Sequence, residues 1–303
     1  MNRRNFLKKS AAAGTLVGVG SFGLLSFTAE EKRKHITILH TNDTHSHIEP
    51  FGADHPEYPN MGGVSRRYSL VSNIRKENPN TLLLDAGDIF QGTPYFNFYG
   101  GELEFKLMSK LGYDAATIGN HDFDNGIDGL LAQLPNADFP FLNANYDFTN
   151  TVLEGRINPY KVFIKDGVRI GVFGVGIELQ GLVSKKHYKE TRYLDPVDIT
   201  RQTVERLKNE EKCELIICLS HLGYHYKGEK ISDLQLAAKT KDIDLIIGGH
   251  THTFLPKPTV VKNSEEKNVL VNQVGWAGIN LGRIDFFLDR DGNKEGHGGS
   301  ILL

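Results

Sequence analysis

The stretch "LHTNDTHSH" (Leu39–His47) sets Asp43, His45 and His47 directly behind an apolar segment, with three histidines and an aspartate in nine positions. Polar groups this dense at the end of a buried strand must be exposed, bonded to one another, or bound to a ligand. The rest of the sequence decides among those options.

"HITILH" (35–40) is the first of several short apolar runs: "TLLLDAGD" (81–88), "AATIGN" (115–120), "VRIGVFGVG" (168–176), "ELIICLSH" (214–221) and "DLIIGGH" (244–250) follow. Such continuous runs predict strands in sheets covered on both faces. Between them, "GGVSRRYSLVSNIRKEN", "GELEFKLMSKLG", "DPVDITRQTVERLKNEEK" and "ISDLQLAAKTK" predict helices. The third has Asp195 as N-cap, Pro196 at the first helical position, and Val197, Val204 and Leu207 at helical spacing. "NVLVNQVG" and "LGRIDFFLD" read as a further pair of strands, and "DRDGN" as a hairpin tip after which the chain ends. No internal repeat is visible. The expectation is one α/β domain over residues 31–303.

Five apolar runs terminate alike: at Asp43 and His45, at Asp88, at Asn120 and His121, at His221, and at His250 and His252. In open α/β sheets, ligands bind beyond the carboxyl ends of the strands. Two Asp, one Asn and five His are thereby expected at one rim, with Gly87, Gly119, Gly248 and Gly249 allowing tight turns beside them. Singly, each has a plain explanation: a loop histidine, or a turn-forming aspartate. Five coincidences at equivalent positions favour a ligand. Carboxylate, amide oxygen and neutral imidazole together suit Zn²⁺, Mn²⁺ or Fe²⁺, whereas Mg²⁺ or Ca²⁺ alone prefers oxygen. The donors outnumber those of one tetrahedral zinc and suffice for two ions sharing a carboxylate.

The composition is that of a soluble globular chain: 303 residues, 39% apolar, 24% charged. A net charge of −2 gives no global field for nucleic acid or an anionic membrane. Cys213 and Cys218 lie in or beside the "CELIICL" run and read as buried thiols, too far apart along a strand for a disulfide. Residues 1–30 read as a twin-arginine export signal: Arg3 and Arg4 precede a glycine-softened apolar stretch, Ala11 to Phe27. That stretch is short for a spanning helix. No clean small-x-small cleavage site follows, so a membrane tether through an uncleaved signal is a second expectation. Twin-arginine export carries folded proteins to the periplasm, which suits one that takes up metal first.

D-x-H, G-D, G-N-H-[DE], S-H and G-H-x-H, in that order at strand ends, resemble the signature of calcineurin-like metallophosphoesterases. The wording is similar to the 5'-nucleotidase branch in "ILHTNDTH", "DAGDIFQGTP", "IGNHDFDNG", "LSHLG" and "DLIIGGHTH", and the likeness runs from about Ile36 to Phe287. The resemblance implies a four-layer α-β-β-α sandwich of two mixed sheets flanked by helices. It implies one metal held by Asp43, His45, Asp88 and His252, and another by Asp88, Asn120, His221 and His250. It further implies that His121 contacts the phosphate or protonates the leaving oxygen, with Asp124 orienting it. The chemistry is coherent: two cations neutralise phosphate oxygens and acidify a shared water. The i, i+2 spacing of Asp43 and His45 on an extended segment would put both on one side. His47 reads as a rim residue and His225 as a loop histidine. "GVFGVG" (171–176) reads as a closely packed strand rather than a phosphate loop.

Two departures qualify the resemblance. Histidine stands at position 252 where some nucleotidases of this branch have glutamine, enriching the site in nitrogen. The family's 5'-nucleotidases also carry a C-terminal nucleoside-binding domain, and "NKEGHGGSILL" offers no base clamp. The expectation is therefore an exported dinuclear phosphoesterase acting on nucleotides or other small phosphomonoesters. Alternatives are a subunit needing a separate chain that supplies the second domain, and a thiosulfohydrolase-like enzyme.

Overall fold

A computed structural model describes residues 33–303; the expected export signal, residues 1–30, lies outside them. The strands are β1 (Lys34–Thr41), β2 (Thr81–Asp85), β3 (Ala115–Ala116), β4 (Tyr146–Asp147), β5 (Tyr160–Lys165), β6 (Val168–Gly176), β7 (Arg192–Tyr193), β8 (Leu215–His221), β9 (Leu245–Gly248), β10 (Thr259–Lys262), β11 (Asn268–Asn272), β12 (Asn280–Leu288) and β13 (Lys294–Leu302). One sheet runs β13-β12-β1-β2-β3, a second runs β10-β11-β9-β8-β6-β5, and β4 pairs with β7. Both large sheets are mixed. In the first sheet the parallel strands β1, β2 and β3 form one side and the antiparallel β12 and β13 the other; in the second, the parallel strands β11, β9, β8 and β6 form the centre with antiparallel β10 and β5 at the edges.

Period-two alternation separates the layers. Ile36, Ile38, Leu82 and Leu84 face Val168, Ile170, Leu215, Ile217, Leu245 and Ile247, forming the core between the sheets. The alternate residues point outward. Leu39 and Leu83 pack under Val71, Ile74, Phe105 and Met108 of the helices Val64–Glu77 and Glu102–Leu111. Ile216, Cys218 and Ile246 pack under Val204, Leu207 and Leu236 of the helices Pro196–Asn209 and Asp233–Lys239. The architecture is thus helix, sheet, sheet, helix, and each fully buried aliphatic side chain contributes about 1.5–3 kcal/mol. Among the described residues, no helix is long and apolar enough to cross a membrane.

Local signals hold where they were strongest. The Asp195 carboxylate accepts the N–H groups of Val197 and Asp198, both at 2.9 Å, starting the helix that Pro196 opens. Cys213 and Cys218 are buried and free. Gly174 packs so tightly that a Cβ there would strike the Leu142 carbonyl, which accounts for "GVFGVG".

Elsewhere the structure departs from expectation. "AATIGN" pairs only through Ala115 and Ala116, because the Gly119 N–H turns to the Asp122 carboxylate at 2.8 Å. The strands β11 and β12 belong to different sheets rather than to one pair. The chain does not simply end after "DRDGN": glycine-rich β13 pairs with β12 along its whole length, the ladder supplying what its weak intrinsic propensity lacks. Strand β5 and the short helices Pro94–Tyr99 and Gly126–Gln133 were also not anticipated.

Candidate metal centre

The loops leaving β1, β2 and β3 in one sheet meet those leaving β8 and β9 in the other, so the site straddles the seam between the sheets. Hydrogen bonds tie the seam. The His250 N–H donates to the Asp43 carboxylate at 2.9 Å, and His250 Nδ1 lies 2.7 Å from Asn120 Oδ1. His221 Nδ1 lies 2.7 Å from the Ala86 carbonyl.

Asp43 and His45 do converge, but not by strand alternation. Strand β1 stops at Thr41, and both residues have left-handed backbone (φ 49° and 47°). Asp88, His250 and His252 share that conformation (φ 55°, 72° and 50°). Each such residue costs about 1–2 kcal/mol relative to ordinary backbone. Strain concentrated on the clustered polar residues is a mark of function. Gly119 answers the same demand: a Cβ there would collide with Asp88 Oδ1.

Two donor triads result, Asp43–His45–His252 and Asp88–His221–His250, each with ligand atoms within 4.8 Å of one another. His45 Nε2 lies 3.1 Å from His252 Nε2 and 3.9 Å from Asp88 Oδ2, so Asp88 abuts both triads. Asn120 joins the second through His250.

The donors fit divalent cations on a specific observation. His221 is fully buried, and its Nδ1–H is committed to the Ala86 carbonyl. Its Nε2 then lies 3.0 Å from Asp88 Oδ2 without a hydrogen-bonded partner, two electron-rich atoms aimed at one point. Burial would lower the His221 pKa, but the Asp88 carboxylate overrides it and raises it to about 10. Burial would raise the pKa of Asp88, but His221 holds it below the usual carboxylate range. Burial and the His221 charge push His250 down to about 4. Such a cluster demands positive charge at its centre, and a metal ion supplies it without a proton.

His121 and Asp124 stand beside the triads. His121 Nδ1 meets Asp124 Oδ2 at 2.8 Å, and that bond raises the imidazole's pKa. The His121 ring packs edge-on to His45 at 5.3 Å, its side chain 41% exposed and open to a ligand. His47 joins neither triad; its half-buried ring contacts Phe51 and Trp276, and burial lowers its pKa to about 4. His225 is exposed.

Sequence reasoning missed three supporting residues. Asp122 is fully buried and accepts the N–H groups of Asp88, Ile89, Phe90 and Gly119 at 2.8–3.2 Å, locking two metal loops together. Asn42 clamps the loop after β11, donating to the Gly275 carbonyl at 2.6 Å and accepting the Val274 N–H at 2.9 Å. Trp276, in that loop, stacks on His252. Only Asp122 carried a signal, as the acidic letter closing "GNHD".

The sandwich and its paired donor sets define the architecture of a metal-dependent phosphoester hydrolase. Residues 36–254 match the family described as calcineurin-like phosphoesterase, and the chain belongs to it. It is 35% identical to 5'-nucleotidase of Rattus norvegicus, over 92% of this chain and 51% of that protein. It is 34% identical to the trifunctional nucleotide phosphoesterase protein YfkN of Bacillus subtilis, over 85% of this chain and 18% of that one. The crystal structure of a 5'-nucleotidase precursor from Thermus thermophilus superposes with a TM-score of 0.81 at 35% identity, covering 89% of this chain and 55% of that one. The chain therefore spans about half the length of the two 5'-nucleotidases, 51% and 55%, and less of YfkN, 18%.

Proposed function

We propose that this chain is an exported dinuclear phosphoesterase that hydrolyses small phosphomonoesters, nucleotides among them. The observation that carries the reading is the pair of donor triads meeting at Asp88. In it, Asp43, His45, Asp88 and His252 hold one divalent ion, and Asp88, Asn120, His221 and His250 the other. Zn²⁺, Mn²⁺ and Fe²⁺ are the ions that suit these donors. When bound, such ions supply charge for the phosphate oxygens and acidify a water. The chain's own residues do the rest. His121, whose pKa the bond to Asp124 raises, is the proton donor to the departing oxygen. Asp124 holds the ring in one orientation.

Under this reading, residues 1–30 direct twin-arginine export to the periplasm and residues 31–303 form the metallophosphatase domain. The matched 5'-nucleotidases are about twice as long.

The test is hydrolysis of 4-nitrophenyl phosphate and of AMP by the purified chain with Mn²⁺ or Zn²⁺, beside His121→Ala and Asp88→Asn. Both variants are expected to lose most activity. Equal rates in all three proteins would overturn the proposal. Turnover of 4-nitrophenyl phosphate without AMP would remove nucleotides from the proposed substrates.

A further inference from the structure

We infer that Trp276 is the positioning residue for His252, setting by stacking the ring plane of a donor whose Nδ1 no hydrogen bond orients among the described residues. The inference rests on the metal-centre reading above and goes beyond it.

The donor imidazoles are held in different ways. His45 has its Nδ1 3.1 Å from the Phe90 carbonyl, and His221 has its Nδ1 2.7 Å from the Ala86 carbonyl. His250 is fixed through Asn120 Oδ1. These are the hydrogen bonds that ordinarily orient a ligating ring. His252 has none. Its polar contacts, to His45 Nε2 at 3.1 Å and Asp43 Oδ1 at 3.4 Å, both use Nε2, the atom aimed into the triad. Its side chain is 39% exposed, against 9% for His45 and 0% for His221. A ring so placed is free to turn, and fixing it on metal binding costs entropy.

Trp276 removes that freedom. Its indole lies 5.7 Å from the His252 ring with 5° between the planes, an offset stack. The indole is itself immobilised. His47, Phe51 and Tyr58 pack edge-on to it at 5.3, 5.9 and 6.3 Å. Its loop is stapled to the first metal strand: Ala277 N–H donates to the Asp43 carbonyl at 2.7 Å, beside the Asn42 clamp. Gly275 N–H donates to the Thr253 carbonyl at 3.0 Å, tying the same loop to the His252 segment.

Trp276 is the chain's single tryptophan, so its fluorescence reports this site alone. The metal-stripped full chain is titrated with Co²⁺ while emission is followed, and calorimetry with metal analysis counts bound ions. Wild type is expected to bind two ions, with quenching that His252→Ala largely abolishes. Trp276→Ala is expected to weaken one of the two ions roughly tenfold and leave the other unchanged. Trp276→Phe, which keeps a ring for stacking, restores most of that affinity and controls for folding. Two ions held by Trp276→Ala at wild-type affinity would overturn the inference while leaving the metal centre intact. No Co²⁺ bound by wild type would overturn both.

Discussion

Asp122 and Asp88 are joined by one hydrogen bond, the Asp88 N–H donating to Asp122 Oδ2 at 3.1 Å, so a buried carboxylate fixes the backbone beneath the side chain that abuts both donor triads. The same side chain takes three further N–H groups. Asp122→Ala strands them in the interior and is expected to destabilise the fold by about 3–5 kcal/mol. Asp122→Asn keeps one acceptor oxygen and should cost less. Urea unfolding of the metal-free proteins measures both, and an unchanged midpoint for Asp122→Ala would refute the clamp.

The proposed roles of His121 and Asp124, on the departing group rather than on the ions, make a separate prediction. His121→Ala is expected to lower kcat by about 10²–10⁴ while metal content stays at the wild-type level. Asp124→Asn should lose less, since the imidazole remains and only its orientation and basicity suffer. Metal analysis of the same samples separates this outcome from collapse of the centre.

Metal removal should reduce stability as well as activity. A chelator leaves only a proton to bridge His221 Nε2 and Asp88 Oδ2 across 3.0 Å, where an ion would draw in the remaining donors as well. Restoring an ion at a thousandfold excess over its Kd adds about 4 kcal/mol. The rise in Tm on adding Mn²⁺ should shrink most in Asp88→Asn, which touches both triads, and less in His252→Ala. Identical shifts in the two variants would count against a shared Asp88.

The acid limb of stability is predicted to contain His40. This residue points between the sheets, wholly buried, with the Asn272 side chain 2.9 Å from its Nε2. Burial lowers its pKa from 6.5 to about 3. The unfolded chain therefore binds a proton that the folded chain refuses, and stability falls as pH drops from about 6.5 toward 3, by about 4 kcal/mol in all. Above 6.5 this contribution is fully present. His40→Gln, compared with wild type in chelator, should flatten the urea midpoint between pH 6.5 and 4. Parallel curves would exclude His40 as a source.

The donors were legible because chemistry at strand ends survives as residue type. Asp88, His221 and His250 announce themselves beside apolar runs whatever the backbone then does. The backbone was not legible. Nothing in "NDTH" marks Asp43 and His45 as left-handed, because aspartate and histidine, though commoner there than most residues, adopt that backbone at only a small minority of their positions. The edge strand β13 escaped because its glycines carry little local preference, and its partner β12 determines its conformation. Trp276 escaped because stacking leaves no periodic trace: its ring meets His252 from 24 positions away, through a loop held by Asn42.

The bond from His250 to Asp43 spans 207 positions of sequence, and that separation sets a schedule. A growing chain emerging from the ribosome exposes the Asp43–His45 segment early, yet nothing can complete that half of the cage until β9 and the turn after it have been made. Neither donor triad can form in a shortened product that stops ahead of His250, so on the proposed reading ion capture would wait until that turn has been made.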